Sequence, residues 1–413
     1  MAAEPGPDKP SSVWGKDGAK AEMPPVKVGT TKAPESIRAK APTAEVARWL
    51  AAQKERAHVA AGDPQRAAGA LAAVVPKGQG QVPWHLISDV RVTDSLVARV
   101  NYSTGNLMLA ATDFQIAGVG QSLQLSRTYN STDAPWGKVS QRWWQGYERY
   151  LQIESDKVVL YDATGGSVSF AKKADGTFTT PEGYRLDLKK TSSGEYTLTQ
   201  RASGMKDTYS AVGTLVKVSD RNGGHVLVAQ HDEGGENKGF KLTESRSGRW
   251  IDLVKTDASQ WQAKDNSGRT VVYDLNPAGD LARTTDTEGK ATAFGYDANR
   301  RLTKITTPEG RVTLFTYDSH NRVTSMKRAT TFDGSGAVGP TYLYDYSSST
   351  PNTAGTTTVT DPVGDTTTYK YAADGEITKV TDALGHSRDR TYDANRNVET
   401  AADAMGVGAH RAT

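Results

Sequence analysis

Apolar residues follow two different rhythms along the chain, and the change between them divides it. Over Thr43 to Ala60 the apolar positions Val46, Trp49 and Leu50 fall at i, i+3 and i+4, and Ala57 continues the stripe weakly, which predicts a helix with one apolar side. Thr43 follows Pro42 as an N-cap, and Glu45 complements the dipole of the first turn. The helical segment is taken as 43–75. Residues 1–42 carry Pro5, Pro7, Pro10, Pro24, Pro25, Pro34 and Pro42 with almost no periodic apolar residue, the composition of a disordered leader. From Val90 onward the period falls to two. Runs such as SLQLSRTYN, KVVLYDATGGSVSF and EYTLTQ alternate Thr, Val, Tyr and Leu between glycine-containing turns, so the rest of the chain reads as β-strands. LYDATGGSVSF reads as two strands across a Thr-Gly-Gly turn, and Asp175-Gly176 is a hairpin signal.

Within the β region a 21-residue frame repeats. GKATAFGYDANRRLTKITTPE (289–309) aligns with GRVTLFTYDSHNRVTSMKRAT (310–330), and the same offset joins Gly268 to Gly289 and Gly364 to Gly385 and Gly406. Phe294 and Tyr296 match Phe315 and Tyr317, then Tyr369 and Tyr371, and the last frame keeps Tyr392. Asp297, Asp318 and Asp393 follow their tyrosines. Thr292, Phe294 and Tyr296 alternate with Ala293 and Gly295, giving a strand with one large and one small face. Short polar side chains then reverse the chain, and a second strand follows as RLTKIT or RVTSMK. Its apolar positions, Leu302 and Ile305 or Val323 and Met326, are three apart, which predicts a bulge or a strong local twist. Each frame is thus one hairpin, and stacked hairpins complete each other's core. The expected fold is mostly β: a curved, spiralling antiparallel sheet of stacked hairpins with a disordered leader and one N-terminal helix. The β region divides into an opening domain at 90–175, degenerate repeats at 176–267, and clear repeats at 268–413.

Composition narrows the function. With a net charge of +3 over 413 residues and mixed signs throughout, nothing points to nucleic acid, and the small positive excess lies in the first 85 residues as a solvated tail. The chain has no cysteine, which removes thiolate chemistry and cysteine-ligated metals. The longest small-apolar run, Ala67 to Val75, is far short of the ~20 residues of a membrane span, and MAAEPGPDKP has no signal-peptide pattern.

The repeat tyrosines could stack on sugars, but rings at one strand position in every frame read first as a packed ladder. The aspartate after each tyrosine falls where a turn needs a cap, and no calcium loop is present. His225 and His231, beside Asp232, Glu233 and Glu236, form the one cluster of plausible metal ligands, at a spacing unlike a helical zinc pair. No carboxylate pair stands out for glycosidase chemistry, and no nucleophile elbow or phosphate loop occurs. The expectation is a protein with no catalytic residue, no metal and no cofactor. Trp136, Trp143, Trp144 and Tyr147 are expected to plug a core.

The Tyr-Asp frames resemble the RHS or YD repeats of bacterial RHS proteins and of the teneurin-like YD shell. Upstream, NYSTGNLMLAATDFQIAGVGQSLQLSRTYNS (101–131) resembles the domain that opens actinobacterial RHS proteins, whose motif falls on Thr104, Gly105, Asn106, Asp113, Leu123, Arg127, Thr128, Tyr129, Asn130 and Ser131. The resemblance implies a β shell wound around a hollow, enclosing in toxin members a C-terminal toxic domain released by self-cleavage. It also implies a secreted or surface protein, with a toxin domain and an immunity protein as partners. No Asp-Pro-x-Gly-Leu segment closes the repeats; the nearest string, Asp361 to Asp365, sits at an inter-repeat turn. The chain therefore reads as the opening of a shell, with too few strands to close a cavity. Its last strand, near Asp389 to Asn397, would leave backbone groups open to self-association. The function expected is a non-catalytic shell segment of a toxin carrier. The alternative is a surface adhesin that binds glycans, and an enzyme acting on carbohydrate stands third.

Overall fold

A computed structural model describes residues 78–413 apart from 119–120, 133–136, 234–235, 334–335, 349–352, 404–407 and 411–413. The expected leader and helix lie outside the described residues. The first strand begins at Ile87, three residues before the sequence boundary, and strands β1 (Ile87–Arg91), β2 (Leu96–Asn101), β3 (Leu107–Ile116), β4 (Leu123–Asn130) and β5 (Trp143–Gln145) form an antiparallel meander. A second meander joins β6 (Tyr150–Ile153), β7 (Lys157–Tyr161), β8 (Ser167–Lys172) and β9 (Phe178–Thr179), with both expected hairpins in place. From Leu186–Lys190 to Gly408–His410 the described strands pair in chain order into one 21-stranded antiparallel sheet, interrupted by a small hairpin at 331–338.

Each repeat frame carries the same irregularity. Tyr296 faces Leu302 but Gly295 faces Lys304, leaving Thr303 as the extra residue of a β-bulge. The same shift sits at Tyr317 opposite Val323, Tyr371 opposite Ile377 and Tyr392 opposite Val398. This is why Leu302 and Ile305 are both buried although three apart. The shift also occurs at Tyr209 opposite Leu215, so the frame geometry begins well before the 21-residue period is legible.

One continuous core runs through both the first meander and the large sheet. It packs Leu107, Leu109, Leu125, Tyr129 and Trp143 with Phe240, Leu253, Tyr273, Leu302, Ile305 and Met326. One expectation is corrected here. The strand Ser387–Tyr392 is paired on both sides, through Ser387–Asp389 to 379–381 and through Asp389–Tyr392 to 398–402, so the sheet edge lies at Gly408–His410 rather than near 389–397. The segment before Leu186 lies against the 393–397 turn, where Arg185 Nη2 donates to Asn397 Oδ1 at 2.8 Å and Glu182 lies 3.5 Å from Arg396.

The tyrosine turns also explain where arginine replaces glycine. Arg300 and Arg396 sit in the left-handed region at φ 61° and 63°, at the turn position that Gly279 and Gly375 hold elsewhere. Their side chains reach the preceding turn of the same rim. Arg300 Nε donates to Asp280 Oδ1 at 2.9 Å, and Arg396 Nη2 donates to Asp374 Oδ2 at 2.8 Å. The staple offsets a backbone conformation that glycine would adopt without strain.

Candidate functional site

The tyrosines and aspartates of the frames have separate jobs. The Tyr296 hydroxyl donates to the Leu281 carbonyl at 2.8 Å, Tyr392 to the Ile377 carbonyl at 2.8 Å, and Tyr317 to the Leu302 carbonyl. Each hydroxyl therefore ties its strand to the carbonyl 15 residues back, which a phenylalanine could not do. Burial pushes the Tyr296 and Tyr317 phenols well above their ordinary range, so they remain donors. Phe294 and Phe315 are buried, Tyr371 is buried, and the Tyr369 ring lies 4.5 Å from that of Tyr102.

The aspartates cap turns. Asp297 Oδ1 accepts from the backbone amides of Asn299 at 3.0 Å and Arg301 at 2.9 Å, while its Oδ2 pairs with Arg301 Nε at 2.7 Å. Asp318 repeats this with His320 and Arg322, and Asp393 caps Asn395 and Asn397. Asp297→Ala is expected to lose about 1–2 kcal/mol of stability, seen as a lower urea midpoint with the circular dichroism spectrum preserved.

The opening motif gathers where the first meander meets the large sheet. Arg127 Nε lies 2.9 Å from Asp113 Oδ2, and both side chains are almost wholly buried. Tyr273 donates to Asp113 Oδ2 at 2.8 Å, and Arg127 Nη2 reaches Thr284 Oγ1 at 3.4 Å. The guanidinium lies over Trp143 at 4.4 Å and near Phe294 at 5.6 Å. Trp143 Nε1 donates to the Tyr296 hydroxyl at 3.0 Å, continuing the chain to Leu281. The Leu302 amide donates to the Tyr129 hydroxyl at 2.8 Å.

The remaining motif residues complete this seam. Asn106 Nδ2 donates to Asn130 Oδ1 at 2.8 Å, and Asn106 Oδ1 accepts from the Ser131 amide at 3.0 Å. Ser131 Oγ then donates to the Asn321 carbonyl at 2.9 Å. Thr104 Oγ1 accepts from the Asn106 amide, and Thr128 is buried opposite Trp144. Gly105 has φ 69°, its carbonyl accepts from the Val323 amide at 2.9 Å, and a Cβ there would stand 2.4 Å from Arg322 Cβ. Every motif residue thus holds structure, and none faces another in a nucleophile–base or acid–base arrangement.

The tyrosine-side turns meet this opening segment repeatedly. Ser140 contacts Gly279 and Leu281, Tyr129 meets Leu302, and His85 meets Gly375. At the opposite turns, a Cβ added to Gly289, Gly310, Gly364 or Gly385 would find nothing within 4 Å. On that rim the opening segment is met instead at Arg249, which donates to the Ala117 carbonyl, and at Arg269, which lies 5.8 Å from the Phe114 ring.

The other candidates resolve differently. Trp143, Trp144 and Tyr147 are buried, while Trp136 lies outside the described residues. His231 Nε2 pairs with Asp252 Oδ1 at 2.6 Å, and His225 Nδ1 lies 3.3 Å from the Gly223 carbonyl. The side chains of Asp232, Glu233 and Glu236 are not among those described. Among the described residues no three His, Asp or Glu side chains converge as a metal site, and no helix is long and apolar enough to cross a membrane. Burial raises the Glu148 carboxyl to about 8, against the opposing pull of Lys138. Sequence reasoning missed Tyr346, whose hydroxyl donates to the Val323 carbonyl at 2.7 Å across the insert that breaks the period. It also missed Tyr273, Trp84 and His85, whose partners lie far away in sequence.

Comparison with known proteins agrees with this geometry. Residues 276–312 and 296–333 match the RHS repeat family, and residues 98–170 match a family described as Domain of unknown function (DUF6531). The tRNA nuclease WapA of Bacillus subtilis (strain 168) is 36% identical over 102 residues, which is 24% of this chain and 4% of that protein. The tRNA3(Ser)-specific nuclease WapA of Bacillus spizizenii matches at the same identity and coverage. The chain thus aligns with a small fraction of these relatives. Among solved structures, TcdB2-TccC3 without its hypervariable C-terminal region overlaps 78% of this chain and 21% of its own, at 12% identity and a TM-score of 0.27. A Photorhabdus luminescens Tc holotoxin pore overlaps 74% and 14%, at 13% identity and a TM-score of 0.21. The repeat match and the tyrosine, aspartate and bulge geometry repeated in each frame have one reading: the chain is an RHS/YD-repeat protein.

Proposed function

We propose that the chain is a non-catalytic shell segment of an RHS-type toxin carrier. The opening meander packs on the repeat wall, and the wall encloses or presents an effector carried elsewhere in the polypeptide or encoded beside it. The observation that carries this reading is the packing of the opening segment along successive tyrosine-side turns of the repeat wall, with Ser140 on Gly279, Tyr129 on Leu302 and His85 on Gly375. On this reading the protein works outside the producing cell, in competition between bacteria, with an immunity protein as a further partner. The sheet edge at Gly408–His410 would accept another strand, from the same polypeptide or a second copy.

Glycan binding has weaker support. Tyr296, Tyr317 and Tyr392 have their hydroxyls bonded to backbone carbonyls, which removes the polar end a sugar would use.

The test uses the purified full chain and its native cells. Incubated with total tRNA, the chain is expected to leave it intact, and cleavage above a mock preparation would overturn the non-catalytic reading. Affinity capture from native cells is expected to recover the repeat chain with a toxic domain, joined or associated. Capture of wall glycan with no such domain would replace the carrier reading with the adhesin one.

A further inference from the structure

The segment leading into β1 is held on a repeat turn by two adjacent rings. Trp84 Nε1 donates to the Asp374 carbonyl at 2.8 Å, and His85 Nε2 lies 2.8 Å from the same oxygen. His85 also bridges to Glu376 as an isolated antiparallel pair. A carbonyl can only accept, so Nε2 carries the proton of the neutral ring, and Nδ1 must accept. Asn101 Nδ2 stands 2.9 Å from Nδ1. That amide cannot turn over, because its Oδ1 accepts from the Ser103 amide at 3.1 Å, the Ser103 hydroxyl at 2.9 Å and the Thr104 amide at 3.3 Å.

A second proton on the ring therefore meets a donor. Protonated Nδ1 would point at the Asn101 amino group, with Ser103 Oγ, 3.2 Å away, left to accept it. The charged groups nearby give limited compensation. Asp374 and Glu376 on the turn would favour the cation, but Arg396 from the following tyrosine turn already pairs with both, and with Glu182 beside it. From the first meander the ring meets the uncharged Asn101 and Ser103. Tyr184 and Tyr371 line the adjoining cavity, and burial pushes the ionisation of both phenols upward. Burial holds the imidazole below its ordinary pKa, against the opposing pull of its hydrogen bonds to the Asp374 carbonyl and Asn101 and of the Glu376 and Asp374 charges. Beside the ring lies a cavity of about 350 Å³ lined by Trp84, Ser103, Tyr184 and Tyr371, which gives the released segment room to move.

We propose that Trp84 and His85 form an acid-sensitive clasp: protonation of His85 at Nδ1 releases the segment from the Ala372–Glu376 turn and opens the adjoining cavity, while the repeat sheet stays folded. The sign follows from linkage. A histidine held below its ordinary value binds protons better when released. The clasp is thus fully stabilised above about pH 6.5 and weakens as pH falls below it. The device depends on no particular cargo, so it stands or falls separately from the carrier reading.

Hydrogen exchange read by mass spectrometry on the full chain, at about pH 7.5 and about pH 5, tests the clasp in the range where histidine titrates. After correction for intrinsic rates, amides in 82–87 and 372–376 are expected to exchange several-fold faster in acid, with 302–329 unchanged. His85→Gln, whose amide can both donate to Asp374 and accept from Asn101, should abolish the difference. Equal corrected rates in the wild type, or an undiminished acid response in the variant, would overturn the proposal. Should the variant fold poorly, histidine nitrogen NMR of the wild type decides. One ring in contact with a tryptophan indole should be the neutral Nε2–H tautomer at about pH 7.5, and a charged ring there sinks the idea.

Discussion

Asp113→Ala is expected to cost about 3–5 kcal/mol, because it leaves the Arg127 guanidinium buried without its carboxylate partner. The change also strips the Tyr273 hydroxyl of its acceptor. Thermal and urea denaturation followed by circular dichroism should show a large fall in midpoint. Protease cleavage between the first meander and the repeats should appear under conditions where the wild type resists. Replacing both Asp113 and Arg127 by apolar residues of similar size should recover much of the loss, since the cost lies in an unpaired charge rather than in the pair itself. A loss below about 1 kcal/mol in Asp113→Ala would mean that water reaches the guanidinium and screens the pair as it would on a surface.

The second large effect is expected at Trp143. Its ring is 1% exposed and packs on Tyr129 at 5.5 Å and Phe294 at 5.3 Å, beneath the Arg127 guanidinium. Trp143→Ala removes an aromatic ring from a filled core and should cost about 3–5 kcal/mol. Trp143→Phe keeps most of the packing and loses the Nε1 bond to Tyr296, so it should cost markedly less. Combined with Tyr296→Phe, the alanine variant should lose less than the sum of the two single changes, because the residues share one hydrogen bond. Strict additivity in that cycle would show that Trp143 and Tyr296 are held independently.

Much of the repeat was legible because its cause is local. Tyr296 and Tyr317 follow a strict alternation, Asp297 and Asp318 cap the turns that follow, and the three-residue spacing of Leu302 and Ile305 announces the bulge. All of these act within one hairpin, so one frame of sequence contains the whole interaction. Tyr346 escaped because the insert after Val323 lengthens its reach to 23 residues, although its hydroxyl does the same work. The Tyr209 bulge escaped because the packing requirement persists there while the residue pattern has drifted.

The seam was legible only as a resemblance. Asp113 and Arg127 are 14 residues apart on neighbouring strands, but Thr284, Tyr273 and Tyr296 join them from over 150 residues away, and no period in the chain marks those contacts. His85 is the sharper case. In sequence it is an isolated histidine shortly before the β region, and its character comes from Asn101 and from a carbonyl 289 residues later.

Sequence alone therefore determined the unit: a 21-residue hairpin, its tyrosine and aspartate positions, its bulge, and a β architecture built by stacking. Those features depend on side-chain alternation and turn chemistry between residues close in the chain. Tertiary structure decided which repeat turns the opening segment meets, which strand is the last of the described sheet, and which charges and rings are buried. These depend on how many strands accumulate before the wall brings Arg396 against Glu182, and on which turns the first meander then meets. Twist adds up over the whole sheet, so no single frame contains that outcome.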